Sequence, residues 1–348
     1  MDATASYAAR MIRSLILACA ALICLGGCAP IVQQAGTPGA MFQGPRLEAE
    51  DFVSFDGARL AMKTWTPEGR DPWAVIVGLH GMNDYSNAFH LAAPAWAADG
   101  VATYAYDQRG FGRSPGRGVW AGDTLMTEDL RTLTVLLRQR YPNAIIAVAG
   151  ESMGAAVAIE AFASNRPPAA DRLVLVSPAV WGWSNQPLPY ATTLWLVAHT
   201  ARSWVVTPPD FLVSHVQPSD NREELIRMGR DPAMIWGARS DTLYGLVGTM
   251  QHAQHQLGLV KAPTLYLAGA HDKIIPKAPH LEAARRLKPT DRSAWYANGW
   301  HLLLVDHQAP VVWGDIESFI RDPAAPLPSG APIIPGAPTP PNTAKAVP

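Results

Sequence analysis

Beyond residue 28 this chain of 348 residues has no cysteine; all three, Cys19, Cys24 and Cys28, stand near its start. The bulk of the chain is thereby excluded from any internal disulfide framework. Charge of one sign is lacking too. A formal net charge of -1 supplies neither a basic field for nucleic acid nor an acidic tail, so nucleic acid is not an expected partner and a small or apolar one is. The apolar run from Leu15 to Leu25 is too short to span a bilayer comfortably. What is present is apolar bulk: 48% hydrophobic against 16% charged residues, enough to bury a large core in one domain or a domain with an inserted lobe. No internal repeat is visible.

Arg10 and Arg13 precede the Leu15–Leu25 run, the order of the charged and apolar regions of a secretory signal. The run ends in Leu25-Gly26-Gly27-Cys28, which resembles the lipobox of bacterial lipoproteins. That resemblance implies a signal peptide over residues 1–27, cleavage before Cys28, and acylation of the Cys28 sulfur and new amino group, giving a lipid-anchored protein attached to a membrane. Ala29 in place of aspartate after the cysteine implies, by the same resemblance, an outer-membrane protein of the bacterial envelope facing the periplasm. An ordinary cleaved signal or an uncleaved anchor helix are the alternatives. Residues 28–47, polar and containing Gly and Pro, read as a tether. At the other end, residues 323–348 carry nine prolines in 26 positions, which excludes helix and strand and predicts an extended, disordered tail. The folded part is residues 48–322.

Within it, AVIVGLH (74–80), VATYAYD (101–107), AIIAVAG (144–150), LVLVSP (173–178) and TLYLAG (264–269) are short, nearly continuous apolar runs bounded by turn residues. Such runs belong to a parallel sheet buried on both faces. Helical patterns separate most of them, at 89–99, 127–140, 153–164, 279–287 and 309–321. This alternation predicts an α/β fold, mostly parallel, with helices on both faces. FVSFDGARLAMKTW (52–65), with Asp56-Gly57 near its centre, reads as an opening antiparallel hairpin. The segment 179–261 is far longer than a normal crossover, and it predicts an inserted helical cap over the carboxyl edge of the sheet.

Two copies of G-x-S-x-G occur, GRSPG around Ser114 and GESMG around Ser152. Ser152 follows a predicted buried strand and precedes MGAAVAIEAFA, a helix of small and apolar residues: the strand, sharp turn and helix of a nucleophile elbow. Ser114 lies in a loop, and the residue after it is Pro115, which has no N–H to offer a developing oxyanion. Ser152 is therefore the candidate nucleophile, and Ser114 a turn residue.

GESMG after one strand, HGMNDYS at 80–86, DQRGFGRSPG after the next strand, GAHDKIIP and a late NGWH together resemble the monoacylglycerol lipase and lysophospholipase branch of the α/β-hydrolases, over about residues 48–320. The resemblance implies an α/β-hydrolase fold and a Ser, acid, His order along the chain. Asp272 stands just past TLYLAG, where the family places the acid, and no carboxylate closes the earlier strand LVLVSP. His301 of NGWH then takes the place of the base; His271 adjoins the acid and His307 falls late on its loop or helix. The oxyanion donors are expected to be the backbone N–H groups of Met82, after His80-Gly81, and of Met153. Asp107 and Arg109 are read as bracing a loop by a salt bridge. His252 and His255, three apart on a predicted helix, suggest no third metal ligand, and neither a metal nor an organic cofactor is expected.

The cap is rich in large apolar residues: Trp181, Trp183, Leu188, Tyr190, Leu194, Trp195, Trp204, Phe211, Leu212 and Trp236. Most are expected to form the cap's own core and its seam to the sheet, leaving some to line an acyl-chain tunnel. The resemblance, the apolar lobe and the membrane anchor together imply an ester hydrolase acting on monoacylglycerol- or lysophospholipid-like substrates. The same triad could serve an acyltransferase or a cofactor-free haloperoxidase, and a non-catalytic envelope-binding module is the further alternative.

Overall fold

The computed structural model describes residues 11, 13, 29–207 and 216–340; Cys28, Phe211 and Leu212 lie outside them. Each predicted buried run forms a strand. Among the described residues, β1 (Arg46–Leu47), β2 (Asp51–Val53), β3 (Arg59–Trp65), β4 (Ala74–Leu79), β5 (Val101–Tyr106), β6 (Ile145–Glu151), β7 (Arg172–Val176), β10 (Thr264–Gly269) and β11 (Arg292–Tyr296) form one sheet in the order β1-β2-β3-β5-β4-β6-β7-β10-β11. From β5 to β11 the neighbours are parallel, while β1, β2 and β3 form the antiparallel margin. The opening hairpin turns at Gly57, whose φ of +82° lies in the left-handed region that glycine enters without steric cost.

Side chains alternate between two cores, as the pleat requires. Ile146, Val148, Leu173, Leu175, Tyr266 and Ala268 face one of them, together with α2 (Gly122–Arg140), α3 (Met153–Ala163), α6 (Ser240–Gln256) and α7 (Lys277–Ala284). Ala147, Ala149, Val174, Val176, Leu265 and Leu267 face the other, against α1 (Ala92–Ala98) and α8 (Ala309–Arg321). Both faces of the sheet are thus covered, which is why these strands read as continuous apolar runs.

The long segment after β7 contains α4 (Leu188–Thr200), α5 (Arg222–Arg230) and a two-stranded antiparallel ribbon, β8 (Val205–Val206) with β9 (Ala238–Arg239). Its last helix, α6, packs on α3 and contributes Leu246, Met250 and Ala253 to the core. The lobe that stands apart from the crossover layer therefore closes at Arg239, short of the expected 261.

Both flanking segments also depart from expectation. In the tether, Gln33 N donates to Trp120 O at 2.9 Å and Gly36 N to Asp56 Oδ2 at 2.7 Å, so residues 33–36 are fastened to the body. Over residues 323–340 the proline-rich segment has no helix or strand but is not loose. Trp295 N of the edge strand β11 donates to Pro332 O at 2.8 Å, and the side chain of Ile334 is fully buried. Prolines that cannot donate to a ladder still offer carbonyls to an open edge, and apolar residues between them fill grooves. No helix among the described residues is long and apolar enough to cross a membrane.

Candidate active site

The candidate site lies at the carboxyl ends of parallel strands, where loops diverge and ligands bind in open α/β sheets. Ser152 stands between β6 and α3 with φ 51° and ψ -114°, a conformation rare outside glycine, and its residue is 8% exposed. Its carbonyl receives the N–H groups of Ala155, Ala156 and Ala179 at 3.1, 3.2 and 3.0 Å, and its own N–H donates to Val176 O at 2.9 Å. The backbone is thus held from both sides in a strained turn. Gly154 makes the turn possible: a Cβ there would stand 2.2 Å from the carbonyl oxygen of Leu79.

Beside the elbow runs the loop after β4. A Cβ on Gly81 would lie 3.4 Å from the Cβ of Ser152, so the HGM turn passes directly over the serine. The amides of Met82 and Met153 are without hydrogen-bond partners among the described residues, Met153 because it opens a helix. The turn is braced from behind by His80. Gln108 N donates to His80 Nε2 at 2.9 Å, which leaves Nδ1–H to donate to Gly81 O at 2.8 Å. Burial pushes the His80 imidazole down to about 4, against the raising effects of the Gly81 carbonyl and Asp107, and this neutral ring suits the pattern.

Asp272 and His301 meet. His301 Nδ1–H donates to Asp272 Oδ2 at 2.8 Å, with the two side chains 4% and 1% exposed. The other carboxylate oxygen accepts Ile274 N at 2.8 Å and Ile275 N at 3.0 Å. Burial alone would raise the Asp272 carboxyl, but the charge of His301 and hydrogen bonds from His280 and His301 hold it far below the usual range. Neither Ser152 Oγ nor His301 Nε2 has a hydrogen-bond partner among the described residues, so Asp272 and His301 are joined directly and the serine hydroxyl is left free to turn.

The sequence reading missed what four further residues do around the site. His280 of α7 contacts the same Asp272 oxygen at 3.3 Å, and its Nδ1 lies 2.8 Å from Tyr266 Oη. Asp306 accepts Trp300 N at 2.8 Å and Ser219 Oγ at 2.7 Å, bracing the turn that carries His301. Asp84 and Glu151, next to the oxyanion turn and the serine, are buried acids; burial pushes Asp84 up to about 7 and Glu151 well above the carboxylate range.

Other expectations sort plainly. Arg109 does brace a loop, but its partners are Asp56 and Asp129, reached at 2.7–2.8 Å in a fully buried fork. Asp107 instead accepts the amides of Ser86 and Arg113 at 2.9 and 2.8 Å. His271 stacks on Trp300 and His307 N bonds Asp220, so neither competes for the base position. His252 and His255 separate. His255 meets Gln251, whereas His252 Nδ1 lies 3.1 Å from both Asp123 Oδ2 and Glu160 Oε1, a grouping drawn from three helices. Burial and the neighbouring Asp123 push the Glu160 carboxyl up to about 9.

In the cap, Leu188, Tyr190, Trp195, Trp204 and Trp236 are 75, 65, 47, 60 and 58% exposed, so these five do not form the expected core. Leu188, Tyr190 and Trp195 belong to α4, of which only Ala198 is buried. Trp183, Tyr190, Leu194, Val197, Trp204 and Leu243 line an apolar cleft of about 580 Å³ in the cap, and neither Ser152 nor His301 borders it. The cap is fastened to the site loops at residues 231–235. Ile235 N donates to Asn83 O at 3.0 Å, Tyr85 Oη to Asp231 Oδ2 at 2.6 Å, and Arg117 to the carbonyls of Pro232, Ala233 and Met234.

A family model described as serine aminopeptidase, S33, matches residues 70–308, more than half of the chain. The chain belongs to this family. It has the α/β-hydrolase fold and is a serine ester hydrolase. Among relatives of this S33 member, a monoacylglycerol lipase of Mycolicibacterium smegmatis is 26% identical over 284 residues, covering 77% of this chain and 95% of the relative. A human monoglyceride lipase is 25% identical over 266 residues, covering 74% and 85%. A solved structure, a soluble variant of a Saccharomyces cerevisiae monoglyceride lipase with a substrate analog, superposes with a TM-score of 0.66 at 15% identity, covering 84% of this chain and 100% of that one.

Proposed function

We propose that this protein hydrolyses carboxylic esters of monoacylglycerol- or lysophospholipid-like substrates through an acyl-enzyme formed on Ser152. The observation that carries the reading is the elbow itself. A serine with φ 51° sits at the head of a helix, beneath a glycine turn, with two unpartnered amides at hand. In the reaction, Ser152 Oγ attacks the ester carbonyl carbon as His301 Nε2 takes its proton, and Asp272 stabilises the resulting imidazolium. The oxyanion is held by the N–H groups of Met82 and Met153. Collapse expels the alcohol, which leaves with the proton from His301. Water, deprotonated by the same nitrogen, then attacks the acyl carbon and releases the acid and the free serine.

The lipid-like substrate class is supported by the names of the two sequence relatives and by the apolar cap. Each methylene removed from water favours binding by about 0.8 kcal/mol, so an apolar lobe on this enzyme favours long chains. Acylation at Cys28 would hold the enzyme at an envelope membrane where such substrates reside. A Cys28→Ser variant that still partitions into detergent with the membrane fraction counts against the anchor.

Fluorophosphonate labelling tests the chemistry. Wild-type labelling that vanishes in Ser152→Ala and persists in Ser114→Ala is expected, and no labelling of wild type overturns the proposal. With p-nitrophenyl esters of increasing chain length, kcat/KM is expected to rise toward long acyl chains; a sharp preference for acetate overturns the lipid reading.

A further inference from the structure

Asp272 Oδ2 is shared by two imidazoles. His301 Nδ1 approaches it at 2.8 Å and His280 Nε2 at 3.3 Å, while Oδ1 is occupied by the amides of Ile274 and Ile275. His280 is fully buried on the inner face of α7, and its other nitrogen, Nδ1, lies 2.8 Å from Tyr266 Oη. A carboxylate can only accept, so the ring nitrogen facing it carries a proton. In the neutral ring Nδ1 is then a lone pair, and the buried Tyr266 hydroxyl has a place to donate. One arrangement therefore pairs all three contacts: Tyr266 Oη–H to His280 Nδ1, His280 Nε2–H to Asp272 Oδ2, and His301 Nδ1–H to the same oxygen. No role for His280 follows from the acyl-enzyme scheme, which uses one histidine.

We propose that His280, steadied by Tyr266, is a positioning residue for His301: by donating to the shared Asp272 oxygen it fixes the carboxylate plane and weakens the negative field that His301 feels. The proposal rests on the acyl-enzyme reading. A general base works best when its proton affinity lies near the working pH. Asp272, buried and otherwise held only by backbone amides, would draw the proton onto His301 more strongly if it faced that ring alone. The titratable groups in contact with His280 are Asp272 and Tyr266. Glu282 and Arg286 of α7 pair with each other, and His255 of α6 acts on Glu282. Around His301, Asp272 is the contacting group, and Asp306 acts through the Trp300 amide.

The test is the pH profile of kcat/KM for a p-nitrophenyl ester in wild type, His280→Gln, His280→Leu and Tyr266→Phe, each on the full chain. Gln keeps a neutral N–H donor at similar reach, whereas Leu removes it. In His280→Leu the acidic limb is expected to move to higher pH by about half a unit to one unit, the scale of one ordinary hydrogen bond lost. Its kcat is expected to fall several-fold with KM little changed, and Gln to restore the limb. Tyr266→Phe, which removes only the hydroxyl that orients His280, is expected to shift the limb in the same direction and serves where His280→Leu does not fold. An unmoved limb in folded His280→Leu or Tyr266→Phe overturns the proposal, as does a Gln variant that behaves like Leu. Wild type that fails to label with fluorophosphonate overturns the acyl-enzyme reading and this inference with it; labelling with unmoved limbs overturns this inference alone.

Discussion

Ser114 Oγ donates to the carbonyl oxygen of Asp107 at 2.5 Å, which seats the first G-x-S-x-G serine inside the turn after β5. Ser114 Oγ in turn accepts Ala61 N at 3.1 Å, tying that turn to the hairpin strand β3, and Ser114 is only 4% exposed. A hydroxyl so engaged is structural. Ser114→Ala is expected to lower stability by about 1–2 kcal/mol, from two buried hydrogen bonds lost, and to leave fluorophosphonate labelling intact. Urea titration beside the labelling gel checks both, and a Ser114→Ala protein that is stable but unlabelled contradicts this assignment.

Arg109 lies in a fork between Asp56 and Asp129, with all three side chains under 5% exposed. Removing the cation strands two buried carboxylates, and breaking such a pair costs about 3–5 kcal/mol. Arg109→Leu is therefore expected to unfold at much lower denaturant than wild type, while Arg109→Leu combined with Asp56→Asn and Asp129→Asn recovers part of the loss. Equal midpoints for the single and triple variants would show that charge stranding is not the cause.

The layout of strands and helices was legible because each buried strand is a short apolar run and each layer helix has an amphipathic or small-residue pattern. The Ser152 turn was legible for the same reason, since a strand, a sharp turn and a helix are local in the chain, and the contact between Asp272 and His301 was expected from the family resemblance. What escaped notice is made by loops meeting across the sheet. The shared oxygen between His280 and His301, the Arg109 fork and the Asp306–Ser219 bond each join separate elements, the acids Asp84 and Glu151 are buried beside them, and periodicity carries no trace of any of this. In the cap, apolar composition alone could not tell a buried face from an exposed one, and Trp204 and Trp236 stand in solvent. For residues 323–340, the absence of helix and strand was equated with disorder, although extended chain also packs when its apolar side chains find a groove.

Burial pushes the Asp84 carboxyl up to about 7, with Asp231 and Glu224 adding to the effect and the Tyr85 amide and Arg227 opposing it. A group raised in the folded state stabilises below its unfolded value near 4 and loses that stability as pH climbs to the folded value. Between pH 5 and 7, wild type is thus expected to lose on the order of 2 kcal/mol relative to Asp84→Asn, which keeps an oxygen for the Tyr85 amide and has no charge to bury. Urea midpoints taken across that window read the difference directly. Curves that run parallel from pH 5 to 7 mean that Asp84 is ionised throughout.

The proline-rich segment crosses the free edge of the sheet. Leu327 and Ala331 pack on the core beside α8, Ile334 and Ala337 join the core on the opposite face, and between them Trp295 N of β11 donates to Pro332 O. The strap thus covers an edge strand whose amides would otherwise be open to a neighbouring chain. Ile334→Ala is expected to cost about 2–4 kcal/mol, as for a buried aliphatic side chain cut back to a methyl group. A chain ending at Asp322 is expected to lose more than that and to self-associate through β11, seen as a concentration-dependent rise in scattering mass. Adding Trp295→Lys to the shortened chain places a charge on the bared edge and is expected to reduce the association. A shortened chain that stays monomeric with an unchanged melting temperature shows the strap to be dispensable, and the edge to be guarded by β11 alone.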